Sequence, residues 1–149
     1  MNLGFNPNAI FGAPLVISTT IVIMFILMGQ VLLRAGGSEF FTDLAMATMG
    51  RRRGGAAKIS VMASALFGTI SGAAVSNVVV TGVVTIPLMR DSGYKATHAG
   101  AIEAIASTGG QMMPPIMGAA AFLMAETLEI LYAEIVIAAL LPSIIYYFA

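Results

Sequence analysis

Two polar interruptions in apolar surroundings hold the residues of this chain that could do chemistry. The first is Ser71-Gly72-Ala73-Ala74-Val75-Ser76-Asn77, between the apolar runs Ile59 to Ile70 and Val78 to Met89. The second is Ser107-Thr108-Gly109-Gly110-Gln111-Met112-Met113-Pro114-Pro115. Ser71, Ser76, Asn77, Ser107, Thr108 and Gln111 offer hydroxyl and carboxamide oxygens, hard donors that suit a monovalent cation such as sodium better than a transition metal. Gly72, Ala73, Gly109 and Gly110 would add backbone carbonyls where the helix loosens. Close helix packing explains part of the same pattern, because Ser64, Gly68, Gly72 and Ser76 recur every fourth residue as a small-residue face. Covalent chemistry lacks its parts. A serine hydrolase needs a base within reach, and the single His98 falls at the edge of an apolar segment. An aspartyl hydrolase needs two embedded carboxylates, and Asp43 and Asp91 both stand at borders.

The elements that must position these residues are those of an all-α membrane protein. Of 149 residues 58% are hydrophobic and 9% charged, and the mean hydropathy is +0.94, far from a soluble domain. A net charge of zero offers no footprint for nucleic acid, and a chain with no Cys and one His offers no transition-metal site or cofactor anchor. The 11 Met residues read as packing, since no Met-x-x-Met cluster accompanies them.

Along the chain, residues 1–35 contain a scaffold transmembrane helix from Pro14 to Leu33, and 36–58 an interfacial arm helix from about Glu39 to Met49 with Ser38 as its cap and Phe40, Leu44 and Ala47 on one face. The 31 residues from Ile59 to Met89 are too long for one straight span and too short for two. Lys58 and Arg90 flank them, and all seven basic residues lie between Arg34 and Lys95, so the positive-inside rule returns both flanks to the cytoplasm. Residues 59–95 are therefore predicted to be a re-entrant hairpin with its tip at 71–77. Residues 96–128 read as a transmembrane helix broken at 107–115 by paired Gly and paired Pro, with a new helix starting at Pro115. Residues 129–149 read as a further span ending in an interfacial pair, Tyr146-Tyr147. Glu103 stands inside an apolar segment, where an ionisable residue is costly and often functional; the competing expectation, which is preferred, is that it lies near the cytoplasmic end and pairs with His98 or Lys95.

Gly-Thr-Ile-Ser-Gly-Ala-Ala-Val-Ser-Asn at 68–77, Ile86-Pro87-Leu88-Met89 with Ser92-Gly93-Tyr94 behind it, and the 107–115 stretch resemble, in order and spacing, the large membrane subunit of tripartite ATP-independent periplasmic (TRAP) transporters. The Gly-Gly-Gln-Met-Met-Pro-Pro form, with Glu103-Ala104-Ile105-Ala106 ahead of it, is similar to the branch served by TAXI-type binding proteins. Many members carry Ser-Gly-Ser and an Asp where this chain has Ser71-Gly72-Ala73 and Asn77. The resemblance implies one repeat of an elevator-type, ion-transporter-like fold, truncated before the second repeat, in a bacterial or archaeal cytoplasmic membrane. It implies a sodium- or proton-coupled importer of small organic anions, working with the rest of the permease, a small membrane subunit, lipid and a periplasmic binding protein. Anion contacts are expected at Asn77, Gln111, Pro114 and Pro115, because no Lys or Arg lies within the apolar segments and a helix N-terminus beyond the break would have to serve. A structural subunit with no transport activity is the competing expectation.

Overall fold

The computed structural model describes residues 12, 15–16, 19–20, 23–51 and 54–148. Seven helices have continuous bounds among them: α1 Ile23–Arg34, α2 Gly37–Met49, α3 Gly55–Ser71, α4 Ala74–Asp91, α5 Ala96–Gly109, α6 Ala119–Leu128 and α7 Tyr132–Phe148. No described residue is in a strand. No helix among the described residues is long and apolar enough to cross a membrane. Of the segment expected to span from Pro14 to Leu33, α1, with 12 residues and about 18 Å long, covers Ile23 to Leu33, and residues 14, 17, 18, 21 and 22 lie outside the described set.

α3 is rich in Ala and Ser, free of Pro, and stops where Gly72 turns left-handed (φ 57°) and donates its N–H to Gly68 O at 3.2 Å. α4 starts two residues later and runs antiparallel to α3, as the contacts show. Asn77 reaches Ser64 near the turn, while Ala56 and Met89 share a cluster with Ala99 of α5 at the open end. Its many β-branched residues are poor helix formers in isolation. Packing against α3 and α5 outweighs that preference. The turn is narrower than predicted: only Gly72 and Ala73 leave helical geometry, and Ser76 and Asn77 belong to the first turn of α4.

α2 also differs from expectation. It begins at Gly37 after Gly36 in a left-handed conformation, without a side-chain cap, and Ser38 instead accepts a hydrogen bond from Thr42 on its carbonyl. Its buried face is Thr42 and Ala45, docked through Ile59 and Ala63 of α3. Phe40 and Leu44 stay exposed. The helix beyond the break starts at Ala119 rather than Pro115, with Gly118 as its cap in extended conformation. Earlier in that break, Pro114-Pro115 is a cis peptide. α6 packs on α7 through Met117, Ala121 and Ile135, and Phe122 stacks on Tyr132 at 4.6 Å.

The distribution of polarity is inverted. Where α3, α4 and α5 meet, the buried side chains include Ser60, Ser64, Asn77, Thr81, Thr85, Glu103 and Ser107. The outward faces carry Val75, Val79 and Val83 on α4, Ile105 on α5, and Ile137 and Leu141 on α7. An aqueous solvent would favour the reverse arrangement.

Candidate functional site

Glu103 lies on α5, fully buried against the hairpin. Isolated, a carboxylate in such surroundings is heavily penalised. Five hydroxyls from three helices surround it. Ser60 donates to Oε2 at 2.7 Å and Ser64 to Oε1 at 3.0 Å from α3. Thr81 donates to Oε1, and Thr85 to Oε2 at 2.5 Å, from α4. Ser107, one turn along α5, donates to Oε1 at 3.1 Å. The positions follow from helical spacing: 60 and 64, 81 and 85, and 103 and 107 are each i, i+4 pairs on one face. Gly82 lets α5 come close, since a Cβ there would sit 3.3 Å from Glu103 Cγ. The expected pairing with His98 or Lys95 does not form. Both are exposed at the start of α5, more than a helical turn from Glu103.

Near the turn, the Asn77 amide donates to Ser64 O at 2.9 Å and to Ser107 O at 3.5 Å, tying all three helices together. Here the predicted interruptions meet. A Cβ on Gly68 would come within 2.4 Å of Gly110 Cα, and one on Gly72 within 1.9 Å of Met117 O. Ile116 N–H donates to Thr69 O at 3.3 Å, and Gly118 N–H closes the break onto Gln111 O at 2.8 Å. The C-terminal ends of α3 and α5 thus face the same small region as the N-terminal ends of α4 and α6. The first pair presents carbonyls with partial negative charge, the second N–H groups with partial positive charge. Ser71 Oγ is buried there without a hydrogen-bond partner.

The predicted site residues divide accordingly. Ser71, Gly72, Ala73, Gly110 and Pro114 lie at this junction, with Asn77 and Ser107 bracing it, their polar side-chain atoms already committed to neighbouring groups. Thr108 and Gln111 have exposed side chains, and Thr108 bonds to Ala104 O on its own helix. Ser76 is half-buried in α4, and Pro115 is exposed with its carbonyl accepting from Tyr132 Oη at 3.1 Å. Gly109 serves packing: a Cβ would sit 2.4 Å from Tyr146 Cε1. Tyr146 and Tyr147, read as an interfacial pair, donate to Ile105 O at 2.8 Å and Ala106 O at 2.9 Å, satisfying carbonyls that the end of α5 leaves free. The hydroxyl cage escaped the sequence reading. Its signal was the set of i, i+4 Ser and Thr pairs on α3 and α4.

A helical chain with polar groups inside, apolar groups outside and helix ends meeting at a break has the build of an all-α membrane protein. The sequence profile described as "Tripartite ATP-independent periplasmic transporter, DctM component" matches residues 8–149, and the chain belongs to that family. It is 34% identical over 91 residues to the C4-dicarboxylate TRAP transporter large permease protein DctM of Pseudomonas aeruginosa, covering 61% of this chain and 21% of that one. Over 145 residues it is 28% identical to the ectoine/5-hydroxyectoine TRAP transporter large permease protein UehC of Ruegeria pomeroyi, covering 97% and 31%. Over 121 residues it is 25% identical to a putative TRAP transporter large permease protein of Haemophilus influenzae, covering 81% and 28%. The chain therefore spans between about a fifth and a third of the length of these relatives. No solved structure matches it.

Proposed function

We propose that this chain is the hairpin-and-break part of the large membrane subunit of a secondary carrier in a bacterial or archaeal cytoplasmic membrane. The carrier imports a small organic anion, of the dicarboxylate or amino-acid class, together with a coupling cation. The hairpin α3–α4 enters the membrane and returns, within one repeat of an elevator-type fold that also includes the scaffold helix, the arm helix and the broken helix. The remainder of the permease, a small membrane subunit and a periplasmic binding protein of the TAXI type complete the system. The observation that carries this reading is the junction of four helix ends around the buried, unpartnered Ser71 Oγ. Ser71 Oγ and the carbonyls around Gly72 and Met117 would hold a hard monovalent cation such as sodium at the C-terminal ends of α3 and α5. The N-terminal ends of α4 and α6 would face the substrate carboxylate. Each such dipole contact contributes only ~0.3–2 kcal/mol, so tight capture is left to the binding protein.

Uptake by the intact permease, reconstituted with its membrane and periplasmic partners, tests the reading. Carboxylate substrates should be transported and their neutral amides should not. Ser71→Ala should raise the cation concentration for half-maximal uptake by about tenfold or more, since a hydrogen-bonding contact to a charged group contributes ~1.5–3 kcal/mol. Equal transport of acid and amide, or an unchanged cation response, would sink it.

A further inference from the structure

We propose that Glu103 is a proton-carrying site, separate from the junction at Ser71, which binds a proton in one state of the carrier and releases it in another. This rests on reading the chain as part of a carrier, and not on the cation site at the hairpin turn.

Three features of the cage carry the proposal. First, among the described residues the groups facing Glu103 are hydroxyls and no charged side chain. Lys58 on α3, Arg90 and Asp91 on α4, and Lys95 and His98 at the start of α5 are exposed, as are Arg34, Glu39 and Asp43 on α1 and α2 and Glu134 on α7. Tyr146 and Tyr147 donate to backbone carbonyls instead. Second, the oxygen separations of 2.5–3.1 Å from Ser60, Ser64, Thr85 and Ser107 to the carboxyl are those of direct O–H···O contacts. The closed arrangement accommodates a proton on the carboxyl without a change of partners.

Third, the hydroxyls have acceptors other than Glu103. Thr81 Oγ1 also lies 2.8 Å from Asn77 O, and Thr85 Oγ1 3.0 Å from Thr81 O. Ser64 Oγ lies 3.2 Å from Thr81 Oγ1 and 3.4 Å from Ser107 Oγ. With Glu103 ionised, its two oxygens offer about four acceptor positions to the surrounding hydroxyls. When the carboxylate takes up a proton from water, it becomes a neutral acid with one O–H. That O–H donates to one hydroxyl oxygen, while Thr81 and Thr85 rotate their protons onto the carbonyls. Both forms stay hydrogen-bonded without displacement of any heavy atom. Because Glu103 is fully buried, exchange with water requires α5 to part from the hairpin, which links protonation to movement.

The test uses the intact permease with its partners in liposomes, with equal sodium on both sides, under an inward pH gradient. One pH unit is worth 1.36 kcal/mol per proton, about tenfold accumulation at most for one proton per substrate. Wild type should accumulate substrate with the gradient, and the ratio of uptake with the gradient to uptake without it should fall to about one in Glu103→Gln. Infrared spectra of the purified wild-type permease provide a readout that does not depend on transport or on the folding of that variant. A protonated-carboxyl band should appear on acidification, and its frequency should shift in Thr85→Val, which removes a hydrogen-bond partner of that carboxyl. The proposal is overturned if Glu103→Gln keeps gradient-driven accumulation, if only a sodium gradient drives wild type, or if no such band titrates. Failure of the Ser71→Ala or amide tests above leaves these outcomes unaffected, whereas a wild type that neither accumulates nor exchanges substrate overturns both readings.

Discussion

At the scale of single residues, Asn77 shows how one side chain can hold an interior together. Its amide donates to Ser64 O on α3 and Ser107 O on α5 while its own helix is α4. Asn77→Ala should therefore remove two hydrogen bonds between helices, although Ser107 O keeps the Gly110 N–H. A loss of ~1–3 kcal/mol is expected, ~0.5–1.5 for each bond, measurable as a lower unfolding temperature of the detergent-solubilised permease. A variant as stable as wild type would mean that water or a neighbour replaces the amide. Glu103 reaches the same end by opposite chemistry, as an acceptor served by donors from three helices. Deleting one partner of such a network tends to do more harm than the average bond suggests, because what remains is buried and unpaired.

At the scale of elements, the turn between α3 and α4 is held against the break between α5 and α6 by glycine backbones. Gly72 meets two constraints, a φ of 57° and an approach that would put a Cβ 1.9 Å from Met117 O. Gly93 supplies a natural comparison, with a φ of 94° and nothing within 4 Å of its added Cβ. Gly93→Ala should show the conformational term alone, roughly 1–2 kcal/mol, with transport retained. Gly72→Ala should add the clash, separate the turn from the break and abolish uptake. Cysteines at Thr69 and Ile116, whose backbones are hydrogen-bonded, should cross-link with a bifunctional reagent in wild type and fail to in Gly72→Ala. Equal behaviour of the two glycine variants would show that the approach to Met117 is unimportant.

At the scale of the molecule, an apolar exterior around a polar junction sets the solvent this chain is built for. The antiparallel hairpin brings its two flanks together, since Ala56 and Met89 pack in one cluster at its open end. Cysteines replacing Lys58 and Arg90 in the intact permease should therefore react with an impermeant reagent from the same side of the membrane, the cytoplasmic one. Labelling from opposite sides would rule out re-entry. The arms have 17 and 18 residues, about 26 Å each, close to the hydrocarbon thickness of about 30 Å. The turn is thus placed well beyond the midplane if the arms stand upright.

Hydropathy, the placement of charge and the Gly and Pro breaks are local properties, and they were legible directly. They yielded the helical class, the turn between α3 and α4 and the interruption between α5 and α6, because apolar runs and missing N–H groups act on the chain wherever it lies. Motif order pointed to the family in the same way. The turn was read too broadly, since Ser76 and Asn77 are polar yet helical, and polarity alone does not unwind a helix whose side chains find partners. Glu103 was assigned to the wrong neighbours for a related reason. Sequence proximity favoured His98 and Lys95, whereas its partners lie up to 43 residues away on α3 and on α4. Which hydroxyls turn inward together depends on how three helices rotate and cross. That is decided by packing across the whole interface, where Gly82, Gly68 and Gly110 permit the approach that lets five scattered hydroxyls close around one carboxyl.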